Sequence, residues 1–403
     1  MNYPSRRLAY PSLLSRNKEI FFGFFIIFII SAFVFYFTFQ FAIWRDIKLT
    51  TGLSDVPSHT QAVLDAAYSH QFPAYSLWYR FIYLISGFSK QYNYIAYVSI
   101  FMLGLLTAVK YLISYSIMQK TTHIHSQNGA VICFSLIFIM PILSYYNCEG
   151  LAVCLNNYHV VIGNITPNQW HNSTLILANP FNLVLFYYSI KNIKSDRFYV
   201  FIIMGTLSSL SILCKPNYSL AYLPILCLAI LILNIKPRQY FRTFIKCSLV
   251  ALPSIFFLLY QWYFTFIGGN LAGSKTIISP LLVWSIFSPH IMESLLLSIA
   301  FPLVVLIFYF RSLNLFLSMA WLTFLVALFS FSLLAEYPDA SNGNYGWGLI
   351  SSSYILFLFS AICVVNEPYT WKSKIAFTIF GIHFLSGCFL LCSFFIRQTS
   401  LLI

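Results

Sequence analysis

The sequence predicts an all-α fold, a polytopic bundle of about 11 transmembrane helices. The chain has 403 residues, of which 59% are hydrophobic and only 8% are charged. Soluble domains carry roughly a quarter charged residues, so the apolar surface of this chain requires lipid. No low-complexity linker or fixed-period repeat separates the apolar runs, and we therefore expect a single integral membrane domain over residues 1–403.

The distribution of charge predicts the orientation in the membrane. The net charge is +13, but the lysines and arginines stand singly or in small groups between apolar runs. That pattern orients a membrane protein and does not indicate nucleic acid as a partner. Residues 1–18 include Arg6, Arg7 and Arg16, so the positive-inside rule predicts a cytoplasmic N-terminus.

The first apolar run, about 20–43, is predicted to cross the membrane outward. It is too long for a signal peptide and has no small-residue cleavage site, so we expect it to remain as an anchor. Residues 44–93 then form the first external loop. Within it, Ser58 is the predicted N-cap of a short helix, with Gln61 as its capping-box partner and Pro73 as its end.

The aromatic stretch 74–88 carries Arg80 and is short for a span, which indicates a helix lying at the membrane interface. Lys110 lies near the predicted cytoplasmic end of the next span, 94–118, where its ammonium group would snorkel to the surface. The remaining spans are predicted at about 129–146, 175–190, 198–213, 218–234, 247–267, 291–310, 315–334, 347–365 and 375–396.

The polar groups with chemical potential collect on the predicted external side. Asp55 follows the first span directly and is four residues before His59. A second external loop, 147–174, contains a Trp-His-Asn triplet, and Cys148 and Cys154 of the same loop could pair there. Further external groups are Lys215, in a turn between two spans, and the polar residues Glu336, Asp339, Asn342, Asn344 and Trp347.

The order of these elements resembles the GT-C superfamily of polytopic glycosyltransferases. The resemblance covers about residues 20–120, with a first span, a long external loop with an acidic residue near its start, interfacial helices and an inward second span. The triplet Trp170-His171-Asn172, followed by Asn179-Pro180-Phe181, also looks like loops of uncharacterised bacterial members.

The resemblance implies a function and a location. It implies transfer of a sugar from a polyprenyl-phosphate carrier to a cell-envelope glycan or glycolipid on the extracytoplasmic face, in a bacterial inner membrane. Such a donor already has a good leaving group, so the enzyme needs a base for the acceptor hydroxyl and cations for the phosphate. Acidic motifs of the family often contain two close carboxylates, whereas Asp55 stands alone, and this leaves the need for a divalent metal open.

The candidate residues have roles that follow from their chemistry. Asp55 is the candidate catalytic base. The alternative interpretation is that Asp55 only stabilises the fold, since a carboxylate just ahead of a helix N-terminus is favoured by the helix dipole. His59 would orient Asp55, bind the sugar or ligate a metal with it, or would be a surface histidine. The other candidates for substrate binding are Arg80 and Lys215 for the phosphate, and Trp170, His171 and Asn172 for the sugar.

Two other functions compete with transfer. A transporter or flippase for a lipid-linked saccharide would also be basic, polytopic and aromatic, but it should show related halves, broken helices or charges at the membrane midplane. A polysaccharide polymerase or ligase should show a large external loop with several arginines in its second half. The sequence contains no metal motif, phosphate-binding loop or nucleophile elbow.

Overall fold

The computed structural model describes residues 13–44, 54–143, 163–235, 239–267 and 274–397. The predicted loop residues 45–53 and 147–162, with Cys148 and Cys154, lie outside these ranges. In the described chain the helices are α1 (Leu13–Trp44), α2 (Asp55–Ser69), α3 (Trp78–Ile85), α4 (Tyr92–Thr121), α5 (Ser126–Phe138), α6 (Ser173–Asn192), α7 (Phe198–Cys214), α8 (Asn217–Asn234), α9 (Tyr240–Trp262), α10 (Leu282–Phe287), α11 (Ile291–Phe308), α12 (Leu315–Leu333), α13 (Gly346–Asn366) and α14 (Trp371–Arg397).

The prediction of a helical membrane protein is confirmed. Among the described residues, nine helices are long and apolar enough to cross a membrane, namely α1, α4, α6, α8, α9 with its π-helical extension Tyr263–Ile267, and α11 to α14. Two of the predicted spans are the shorter apolar helices α5 and α7. The count of eleven spans and the cytoplasmic N-terminus remain predictions.

Helix α13 lies at the centre of the bundle. Its residues are buried from Gly346 to Val364, and it contacts α4, α5, α6, α8, α11 and α12. A helix that is apolar on all sides is stable only when other helices or lipid surround it. Because α13 is enclosed by protein, its N-terminal end brings the polar residues there into contact with several other elements.

Helix α2 begins earlier than predicted. Ser54 is its N-cap and its Oγ accepts a hydrogen bond from the Val56 N–H at 3.2 Å, so the prediction of Ser58 as the N-cap was wrong. Pro57 fits the first turn because the N–H groups there have no helical partner. Gln61 donates instead to Asp65, at 2.8 Å. This start places Asp55 in the first turn of α2.

Helix α5 is shorter than predicted, because it ends at Phe138 and the chain continues without helical structure to residue 143. The backbone N–H of Met140 donates to the His383 carbonyl, and that of Ile142 donates to the Leu297 carbonyl, both at 3.1 Å. Non-helical backbone within a membrane is stable where protein groups satisfy it. The predicted continuous helix over 129–146 was therefore wrong.

A small two-stranded sheet was not predicted. Strands β1 (Lys275–Ile278) and β2 (Leu334–Tyr337) pair antiparallel, with Thr276 opposite Glu336. β2 follows directly on α12 and leads towards α13. The sheet therefore closes the end of the bundle at which α13 begins.

Candidate functional site

Four parts of the chain converge at this end of the bundle: the first turns of α2, the segment 163–172 before α6, the turn between α7 and α8, and the start of α13. The polar cluster that they form consists of Asp55, His59, His171, Asn172, Lys215 and Trp347. Five of these residues were predicted as site residues, from three separate regions of the sequence. Trp347 was assigned to a different external group.

Asn172 joins the acidic and basic members of the polar cluster. Its Nδ2 donates to Asp55 Oδ2 at 3.0 Å, and its Oδ1 accepts from Lys215 Nζ at 3.2 Å. The same Oδ1 accepts from the Leu175 N–H at 3.1 Å, as the N-cap of α6. One amide therefore separates a carboxylate from an ammonium group and is itself held by the backbone of a helix.

Lys215 is buried, with 9% of its surface exposed. Its Nζ also donates to Thr174 Oγ1 at 3.0 Å and lies 4.6 Å from the centre of the Trp347 ring. Burial lowers the pKa of Lys215 to about 7, and the Asp55 carboxylate opposes this shift. The ammonium group has neutral oxygen acceptors and a π-face around it, so it would attract an anion.

His59 lies one turn after Asp55 on α2, and its ring packs edge-on against Tyr79, with 5.8 Å between centroids. Burial lowers the pKa of His59 to about 4; Asp55 opposes the shift, while Lys215 and His171 add to it. His59 is therefore a neutral imidazole near pH 7. Its Nδ1 is shielded from solvent and has no hydrogen-bond partner among the residues that the structure describes.

Two tyrosines from the segment between α2 and α4 complete this side of the site. The hydroxyl groups of Tyr75 and Tyr79 are hydrogen-bonded to each other. Burial raises the pKa of both tyrosines, and the Asp55 carboxylate contributes to each shift. Both hydroxyls therefore stay protonated near pH 7, and one of them donates to the other. These two tyrosines were not predicted as site residues, because the sequence of 74–88 indicated only an interfacial helix.

Trp347 connects the polar cluster to a second polar group. Its ring lies 5.5 Å from that of His171, and its Nε1 donates to Asn344 Oδ1 at 3.2 Å. Asn344 Nδ2 in turn donates to both carboxylate oxygens of Glu336, at 3.0 and 2.9 Å. The two groups that were predicted separately from the sequence are therefore continuous through the Trp347 indole.

Two predicted site residues lie apart from these contacts. Trp170 is only 3% exposed and packs between Phe35 and Phe138, with ring centroids 5.9 and 5.8 Å away. Arg80 is exposed on α3. The position of Trp170 gives it a packing role, and the position of Arg80 fits the interfacial alternative.

The described residues include no group of three or more histidine, cysteine, aspartate and glutamate side chains that could hold a metal ion. No protein-family model matches the chain, and no curated protein matches it. The function is therefore inferred from the polar cluster and from its place at one end of the helical bundle.

Proposed function

We propose that the protein is a membrane glycosyltransferase that moves a sugar from a polyprenyl-phosphate carrier to a hydroxyl group of a cell-envelope glycan. The observation that carries the proposal is the Asn172 amide, which holds Asp55 and Lys215 in one cluster without a direct ion pair between them. The one ion pair within 4.0 Å among the described residues is elsewhere, between Lys246 and Asp196. A base and a cation that do not neutralise each other are both available to a substrate.

The proposed reaction is a single displacement. Asp55 accepts the proton of the acceptor hydroxyl while that oxygen bonds to the anomeric carbon of the donor sugar, with inversion. The bond between the anomeric carbon and the phosphate oxygen breaks, and its electron pair leaves with the lipid phosphate. The protonated Lys215 stabilises the negative charge that develops on this leaving group.

The neighbouring side chains suit a sugar. Trp347 offers an aromatic face, and neutral His59 and the amide of Asn172 offer hydrogen bonds to hydroxyl groups. Glu336 and Asn344, which contact each other beyond Trp347, suit the hydroxyls of the acceptor. The apolar exterior of the bundle fits a donor whose polyprenyl chain stays in the bilayer, and the extracytoplasmic face of a bacterial inner membrane is part of the proposal.

The test compares wild type with Asp55→Asn in a strain that lacks the native gene, at equal membrane levels of both proteins. Asp65→Asn is the matched control, since Asp65 is an exposed carboxylate on the same helix. We expect wild type and the control to add one sugar mass to the envelope glycan and Asp55→Asn to add none. Equal products from all three proteins would remove Asp55 as the base and reject the proposed mechanism.

A transporter or flippase for a lipid-linked saccharide is the second candidate, and two features favour it. Lys110 is a buried lysine within a membrane span, and residues 139–143 are a non-helical stretch among the helices. Both are typical of transport sites. The test uses proteoliposomes that contain a fluorescent polyprenyl-phosphate glucose. If wild type and Asp55→Asn both move this lipid across the bilayer and neither transfers the sugar, the transporter function is favoured.

A further inference from the structure

We propose that Lys110 is a positioning residue, which fixes the buried segment 163–172 so that His171 and Asn172 reach the polar cluster. Lys110 was predicted to snorkel near the end of its helix, and that prediction was wrong. It lies eleven residues before the end of α4 and is only 5% exposed. Its role in catalysis rests on the proposed function, but its role in positioning can be measured without substrate.

The segment 163–172 is a buried stretch of irregular chain. Its residues are buried throughout, and its backbone polar groups need partners within the protein. The Ile165 N–H donates to Ser298 Oγ, and the Gly163 carbonyl accepts from the Trp284 indole, both at 2.9 Å. These bonds hold the start of the segment, and different contacts must hold the part nearest to the polar cluster.

Asn168 supplies those contacts. Its Nδ2 donates to the carbonyls of Leu136 and Ile139, at 2.8 and 3.0 Å. The last carbonyls of a helix have no partner inside it, and α5 ends at Phe138. The Asn168 side chain therefore replaces the helical hydrogen bonds that are lost where α5 stops, and this attaches the segment to the end of α5.

Lys110 provides a hydrogen-bond donor for the buried amide oxygen of Asn168. Lys110 Nζ donates to Asn168 Oδ1 at 2.8 Å. The two α5 carbonyls are only acceptors, so they require the amide NH₂ on their side, and Lys110 donates to the amide oxygen on the other side. Without Lys110 the amide NH₂ would still face the α5 carbonyls, but the buried amide oxygen would lose this donor, and the attachment of the segment to α5 would be weakened.

Lys110 is also connected to α13. Its Nζ lies 3.5 Å from the centre of the Tyr354 ring, and the Tyr354 hydroxyl is hydrogen-bonded to Ser114, at 2.9 Å. Tyr354 follows Trp347 by seven residues, so the two share a helix face about 10 Å apart along the axis. One lysine on α4 therefore holds both the segment that carries Asn172 and the helix that carries Trp347.

The test measures the pKa of Lys215 from the pH dependence of its acetylation by acetic anhydride, with peptide mass spectrometry as the readout. The variants are Lys110→Met, Asn168→Ala, their double mutant and Lys110→Arg. Lys246→Met is the matched control, because Lys246 is buried elsewhere and bonded to Asp196. Wild-type Lys215 should titrate at about 7.

We expect Lys110→Met and Asn168→Ala each to raise the midpoint by at least half a pH unit, since a displaced Asn172 would let water and the Asp55 carboxylate reach Lys215. The midpoint of the double mutant should shift no further than that of either single mutant, and Lys110→Arg and Lys246→Met should match wild type.

An unchanged midpoint in both single mutants, or additive shifts in the double mutant, would overturn the proposal. If Lys110→Met does not accumulate in the membrane, the test uses Asn168→Ala and Lys110→Arg instead. Asn168→Ala should then raise the Lys215 midpoint, and Lys110→Arg should leave it unchanged. The two proposals can fail separately. If the Lys215 midpoint shifts as expected in these variants but Asp55→Asn still transfers sugar normally, the proposed function is rejected and the positioning role of Lys110 stands.

Discussion

Lys215 and Lys246 are two buried lysines near opposite ends of α8, whose 18 residues extend over about 27 Å. Lys246 Nζ lies 3.3 Å from Asp196 Oδ1 and donates to Asn234 Oδ1 at 2.9 Å. Asn234 Nδ2 in turn donates to the Ile193 carbonyl at 2.9 Å. This group clamps the connection between α6 and α7 onto α8 and α9, and its positive charge is already neutralised by a carboxylate.

Lys215 is also buried but has different partners. Its acceptors are an amide oxygen and a hydroxyl group, and the Asp55 carboxylate lies on the far side of the amide. A buried ammonium group without a direct counter-ion is costly for the fold. The comparison indicates that Lys246 contributes to structure, whereas the arrangement around Lys215 keeps a positive charge available for an anionic ligand.

Replacing each lysine by methionine should give the largest difference between the two sites, in kcat for Lys215 and in stability for Lys246. Lys215→Met should lower kcat about 10²–10³-fold, because a group that stabilises the leaving phosphate is worth about 2.7–4 kcal/mol. Lys246→Met should keep the wild-type kcat and lose stability by about 1 kcal/mol, a low value because Asp196 is 62% exposed. Product mass spectrometry and thermal unfolding in detergent measure the two effects. A large loss of activity in Lys246→Met at unchanged stability would contradict the division of roles.

The pH dependence of kcat/KM should show the second-largest effect, and it depends on the charge of Lys215. The Lys215 ammonium group, with a pKa of about 7, is charged below that pH and neutral above it. We therefore expect kcat/KM to fall tenfold per pH unit on the alkaline side of about 7. In Lys215→Arg this decline should disappear up to pH 9, because a guanidinium group stays protonated. A wild-type profile that is flat between pH 6 and 9 would show that the charge of Lys215 is not required.

The smallest effect concerns the acceptor side of the site. Glu336→Gln removes a charged acceptor for hydroxyl groups, so the KM for the acceptor glycan should rise about tenfold, equivalent to about 1.4 kcal/mol. Transfer of the sugar to water should keep its rate, because Lys215 and Asp55 are unchanged. The exposed carboxylate Asp339 provides the control Asp339→Asn. Equal losses of glycan transfer and hydrolysis in Glu336→Gln would assign Glu336 to the reaction centre instead.

Much of the fold was predictable because hydrophobicity is a local property. Each predicted apolar run from the first span to the C-terminus contains a helix in the described chain. The candidates Asp55, His59, His171, Asn172 and Lys215 were found as polar groups beside such runs, and the structure brings all five together. The sequence could place each of them at an end of a helix, but it could not show which ends meet.

Composition and the lengths of the apolar runs by themselves determined that this chain is a helical membrane protein with its polar groups between apolar helices. Only the tertiary structure decided that Lys110 points into the bundle, that α5 stops at Phe138, and that Trp347 joins the polar cluster to Asn344 and Glu336. The physical reason is the distance between partners along the chain: Lys110 and Asn168 are 58 residues apart, and Asp55 and Asn172 are 117 apart. A hydropathy pattern describes how each segment meets lipid or water, whereas a hydrogen bond between distant side chains depends on how the helices pack.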